Sequence, residues 1–170
     1  SFVINKVKKG KGILWSHNVR KRLLKGLIEK NKGRNYDIIN AQDPFTTLAA
    51  LETGIPTVST VHGYMAFEAV SKGSIDEGSP EAQYMQKIEV EAYKGTRKII
   101  TVDQRLKEYV KELSGVDGIA IRNFIDIHGF NPNKENKAKL KEQYGISSDT
   151  NVLFVPRRLT KKNGVIYPAL

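Results

Sequence analysis

The stretch from Tyr36 to Val61 leaves this chain little choice of fold. It opens with a short apolar run, Tyr36–Ala41, that contains two consecutive isoleucines, and closes with a second, Thr57–Val61. Between them the residues predict a helix over 44–53. Asp43 is a good N-cap, Pro44 suits the first helical position, and Gly54 stands where a helix can end in left-handed geometry. Pro56 then opens the second run. A strand, a helix and a strand joined this tightly predict parallel strands with a right-handed crossover.

The same grammar continues. Residues 18–31 read as an amphipathic helix with Val19, Leu23, Leu24, Leu27 and Ile28 on its packed stripe. The glycine-rich segment 63–80 reads as mostly loop. A helix over 81–93 carries Met85, Ile88 and Ala92, and Lys98–Val102 is a third strand. Asp103 caps a helix in which Leu106, Tyr109, Val110 and Leu113 recur at helical spacing, ended by Gly115 and Gly118. Ile119–Ile121 is a fourth strand. After an irregular stretch, Lys134–Tyr144 is a charged helix stopped by Gly145, and Asn151–Val155 is a fifth strand. Alternating strands and helices predict an α/β fold with a Rossmann-like open parallel sheet.

Such sheets bind ligands at the carboxyl ends of their strands. Here those ends carry Gln42-Asp43, His62-Gly63-Tyr64, Asp103, Asn123 and Arg157-Arg158. Asp43 has a plain structural use as a cap, and His62 could simply satisfy loop backbone.

Charge narrows the partners. The net charge is +10, and residues 1–35 alone hold eleven lysines and arginines against Glu29. The basicity is local, which does not suit a uniformly basic nucleic-acid protein. The helix over 18–31 could lie on anionic lipid headgroups, or it could be a sheet-covering helix with a solvated charged face. The chain has no cysteine, so disulfide and thiolate metal sites are excluded. No Walker loop, zinc spacing or nucleophile elbow occurs.

Five segments, in order, resemble the GT-B glycosyltransferases of family 4. They are YDIINAQDP, GIPTVSTVHGY, KIITVDQRLKEYV, IRNFIDIHGFNP and VLFVPRRLTKKNGV, spanning about Tyr36 to Val165. The resemblance implies a two-domain enzyme. An acceptor-side domain over 1–122 would meet a linker over 123–133 and the start of a donor-side domain over 134–170. It would transfer a sugar, with retention of configuration, from a nucleotide-diphosphate sugar to a lipid, polysaccharide or small-molecule acceptor, with no metal and no further cofactor.

The resemblance also assigns roles. His62 would contact the transferred sugar or acceptor hydroxyl, an imidazole being able to donate or accept near neutral pH. Gln42, Asp43, Gly63 and Tyr64 would line the acceptor side. Arg157 and Lys162, with Arg158 as a rival for the arginine role, would hold the donor diphosphate as charge develops on it. Asn123 would shape the inter-domain turn. Departures are visible: Asn40 and Gln42 replace histidines common in the family, and Pro156, Arg122 and Phe124 replace its usual glycines and proline. Glu81 and Glu89 share the spacing of the family's donor glutamates, but they lie on an acceptor-side helix and read as coincidence.

The family's opening strand and glycine-rich loop would precede Ser1, and its donor glutamates would follow Leu170. These residues alone are therefore expected to be inactive. The expected setting is cytoplasmic, in cell-envelope or polysaccharide synthesis, with peripheral contact between residues 6–34 and anionic membrane, no nucleic-acid partner, and homodimerisation through the exposed sheet edge. Two rival readings are a GT-B sugar-nucleotide epimerase and a non-catalytic module that binds anionic surfaces through residues 1–35.

Overall fold

In the computed structural model, which describes residues 11–130, 134–158 and 164, the chain divides into two units, 1–123 and 124–170. The first unit is an α/β layer structure. Its strands are β1 (Ile39–Ala41), β2 (Thr57–Val61), β3 (Lys98–Thr101) and β4 (Ile119–Ala120), all parallel and in sequence order. The helices are α1 (Lys11–Lys30), α2 (Pro44–Leu51), α3 (Met65–Ser71), α4 (Pro80–Gly95) and α5 (Gln104–Ser114). Right-handed crossovers between strands in sequence order place their helices on one face. Accordingly α2 packs on α4, and α4 on α5.

Alternation sorts the side chains of β2. Ser59 faces the helices, where its hydroxyl meets that of Thr47 on α2 at 2.9 Å. The core on this side joins Val61, Ala92, Tyr93, Ile99, Leu106 and Val110. Full burial of a large apolar side chain contributes about 1.5–3 kcal/mol, so this cluster is a major source of the unit's stability. A smaller cluster of Ala66, Ala69, Ile75, Ala82 and Met85 secures α3 against α4, with Ile13 and Leu14 of α1 packed on it.

Local chemistry explains the element ends. The Asp43 carboxylate accepts the Thr46 N–H at 2.9 Å while the Thr46 hydroxyl accepts the Asp43 N–H, a reciprocal capping box. Asp103 likewise accepts the Leu106 N–H at 2.8 Å. Gly115 closes α5 at φ +75, a region that L side chains avoid.

Three expectations are refined. Residues 63–80 are mostly loop, as expected, but they also hold an unexpected helix, α3 over Met65–Ser71. Second, α1 begins at Lys11, and its packed side differs from the predicted stripe: Leu23 and Leu27 are 65% and 58% exposed. The packed side faces α2, whose two ends present acids to α1. Arg20 reaches Asp43 at 2.7 Å, while Lys21 and Lys25 reach Glu52 at 2.8 and 3.2 Å. These pairs lie on the packed side of α1 with Ile13, Leu14, His17 and half-buried Leu24 and Ile28, and Leu23 and Leu27 stay outside.

Third, residues 151–155 form no strand. A strand needs a hydrogen-bonded neighbour, and the second unit has no other strand among its described residues. That unit contains α6 (Lys134–Gln143), followed by Gly145 at φ +63. Val152, Leu153 and Phe154 are exposed.

Candidate functional site

The parallel register brings the ends of β1 and β2 together. Asn40 pairs with Val58, and Ala41 with Ser59. Asn40 and Thr60 therefore share the face opposite the helices, and the Thr60 hydroxyl donates to Asn40 Oδ1 at 2.8 Å. One step further along each strand, His62 Nε2 lies 2.7 Å from Gln42 Oε1. An amide oxygen only accepts, so in this contact Nε2–H donates to Gln42. The two amides that depart from the family's usual histidines, Asn40 and Gln42, are thus both bonded across to β2.

His62 is exposed, as is Gln42. Gly63 lies against Glu68, whose carboxylate a side chain at position 63 would strike. Tyr64 precedes α3 and provides no side-chain cap for it. Its ring meets Tyr109 edge-on, with centroids 4.8 Å apart at 72°. Beside these groups, a hollow of about 310 Å3 is lined by Arg20, Asn40, Gln42, Asp43 and Thr46 with apolar neighbours.

Asp43 borders that hollow, but both its carboxylate oxygens have scaffold partners. Oδ1 takes the Thr46 N–H and Oδ2 takes the Arg20 guanidinium. Near it His17 stacks on Phe45, centroids 4.5 Å apart and planes within 2°. Burial, aided by Arg20, holds the His17 pKa below its usual value, against the opposing pull of Asp43.

The strongest electrostatic feature was not foreseen in the sequence. Glu89 on α4 is 0% exposed. Oε1 accepts the Met65 N–H at 3.0 Å and the Tyr93 hydroxyl at 3.3 Å; Oε2 accepts the Ala66 N–H at 3.4 Å and the Tyr109 hydroxyl at 3.0 Å. Burial raises the Glu89 pKa, partly offset by these bonds. The same burial and the neighbouring carboxylate push both tyrosines upward. A signal was available: Glu89 sits beside Met85, Ile88 and Ala92 on the buried stripe, where a glutamate needs partners.

The remaining predicted residues lie elsewhere. Asn123 is exposed at the end of the first unit. Arg157 and Arg158 are exposed in the second unit, where the Arg157 N–H donates to the Val155 carbonyl at 2.8 Å. Lys162 lies outside the described residues.

Residues 3–128 match the sequence family described as Glycosyltransferase Family 4. The chain belongs to that family. The match covers the whole sheet of this glycosyltransferase domain, including β1, β2 and the His62–Gln42 pair. A search of curated proteins returned no match to it. Among the described residues, no helix of the glycosyltransferase domain is long and apolar enough to cross a membrane.

Proposed function

We propose that this chain supplies the acceptor side of a retaining, GT-B-type transferase that moves a sugar from a nucleotide-diphosphate donor to a lipid, polysaccharide or small-molecule acceptor. The observation that carries the reading is the His62–Gln42 pair at 2.7 Å, exposed at two adjacent strand ends of a family 4 domain. In this reading Gln42 orients the imidazole, and His62 contacts the transferred sugar or the acceptor hydroxyl. Gly63 allows close approach, Tyr64 offers an aromatic wall, and Asp43 holds the strand end. Arg157, Arg158 and Lys162 neutralise the donor diphosphate, and Asn123 shapes the passage between the domains. Chemistry of this kind needs fixed cations where charge collects on the leaving group, and no metal or further cofactor enters the proposal.

The reading extends to location. Trp15, Leu23 and Leu27 are exposed along α1, whose sequence also carries Arg22 and Lys30. This combination supports peripheral contact of residues 6–34 with anionic lipid on the cytoplasmic face. Among the described residues no strand pairs with the outer edge of β1, and this supports a homodimer by strand pairing.

The test is release of nucleoside diphosphate, with glycosylation of added lipid or oligosaccharide, across a panel of uridine, guanosine and adenosine diphosphate hexoses. The enzyme should use at least one donor. A parent that turns over no member of the panel, or one that interconverts the sugar without transferring it, contradicts the proposal.

A further inference from the structure

Glu89 has no part in the chemistry proposed above, yet it occupies one of the most demanding positions in the fold. Helix α4 needs only an apolar residue there to complete the stripe of Met85, Ile88 and Ala92. A leucine would fill similar volume without the cost of burying a carboxyl group. The carboxylate does something a leucine could not. It accepts four bonds, about as many as its lone pairs allow, and all four come from neutral donors.

Two of those donors are the first N–H groups of α3, which Tyr64 does not cap with its side chain. A third is the hydroxyl of Tyr109, whose ring lies edge-on to Tyr64. The fourth, Tyr93, donates from the next turn of α4 and helps fix the carboxylate's rotamer. Three of the four contacts thus converge on residues 64–66, directly after His62 and Gly63. The backbone leaving His62 is held from below by Glu89, while its imidazole is held from the side by Gln42.

We infer that Glu89 is a positioning residue for sugar transfer: through Met65, Ala66 and the Tyr109–Tyr64 contact it sets the His62–Gly63–Tyr64 turn at the end of β2. This inference rests on the proposed role of His62. Misplacing a catalytic contact by a fraction of its length lowers turnover steeply while leaving distant donor contacts intact.

The test compares E89L, which keeps volume and loses all four acceptors, with E89Q and Y109F, which are nearly isosteric. In the folded protein carrying E89L or E89Q, exchange of the Met65 and Ala66 amides should rise about tenfold, with the amides of β2 unchanged. In the parent enzyme, kcat should fall about tenfold while the donor KM stays within about twofold. The same substitution added to H62A should cost about twofold or less, because both act through one group. Should E89L and E89Q fail to fold, Y109F reads the same quantities through loss of the Tyr109–Glu89 bond alone.

Wild-type kcat in a folded Glu89 variant, or a full additional loss in the H62A background, would overturn the inference. If H62A itself transfers sugar at the wild-type rate, the proposed function fails instead. The His62 ring resonances of E89Q then decide the positioning on its own: a shifted signal supports it and an unmoved one overturns it.

Discussion

His62 Nε2 and Gln42 Oε1 are 2.7 Å apart, and their hydrogen bond ties the end of β2 to the end of β1. The bond fixes the orientation of an exposed imidazole. Neither residue is buried, so the pair contributes little to holding the fold, and its significance is the direction in which the ring is presented.

That contrast gives the first prediction. Gln42→Ala should leave the unfolding free energy within about 0.5 kcal/mol of wild type, as exposed substitutions usually do. Transfer by the parent enzyme should nonetheless fall about tenfold, because the ring loses its anchor. Chemical denaturation of the variant beside its kcat separates the two effects.

Asp43 should behave in the opposite way. Asp43→Ala removes the cap on α2 and the Arg20 ion pair, and should destabilise the domain by about 1–2 kcal/mol. Asp43→Asn keeps an acceptor for the Thr46 N–H and loses only a half-exposed ion pair, so it should cost about 0.5 kcal/mol. Equilibrium denaturation of the two variants checks the order.

Glu89 predicts a pH dependence. Its folded pKa lies above the ordinary 4.5. Between those values the folded state binds more protons than the unfolded one, so stability is greatest below pH 4.5 and declines as pH rises through the folded pKa. The local slope can approach about 1.4 kcal/mol per pH unit. Glu89→Gln should remove this decline, which denaturant midpoints measured at stepped pH would show as a flatter profile.

His17 predicts a slope of the other sign. Its folded pKa lies below the ordinary 6.5. The unfolded chain then binds more protons just below that pH. Stability is present above pH 6.5 and is lost as pH falls through the folded pKa. His17→Phe, which keeps a ring against Phe45, should abolish the loss, as seen by comparing midpoints at pH 7.5 and pH 5.5.

Much of the fold was legible because its signals are local. Asp43-Pro44, Gly54, Asp103 and Gly115 each act within a turn or two of their own position, and the strands and helices follow from them. What could not be read depends on distant residues. Helix α3 lacks a local cap because its cap is Glu89, far along the chain. The packed face of α1 depends on partners elsewhere in the chain: Phe45 for His17, Asp43 for Arg20 and Glu52 for Lys21. Residues 151–155 have the apolar content of a strand but no partner strand among the described residues.

The candidate site divides along the same line. His62 and Gln42 were found because strand ends are where open sheets bind ligands. Their mutual bond needed the register of β1 on β2. The spacing of Glu81 and Glu89 says nothing of Glu89's bonds, whereas its place on the buried stripe of α4 marks a carboxylate in need of donors.

The most direct measurement is sugar transfer by the parent enzyme carrying His62→Ala. The account predicts a fall in kcat of about a hundredfold, the scale of a lost contact at the reacting group, with nucleotide-sugar affinity within about twofold of wild type. Transfer by that variant at the wild-type rate would contradict it.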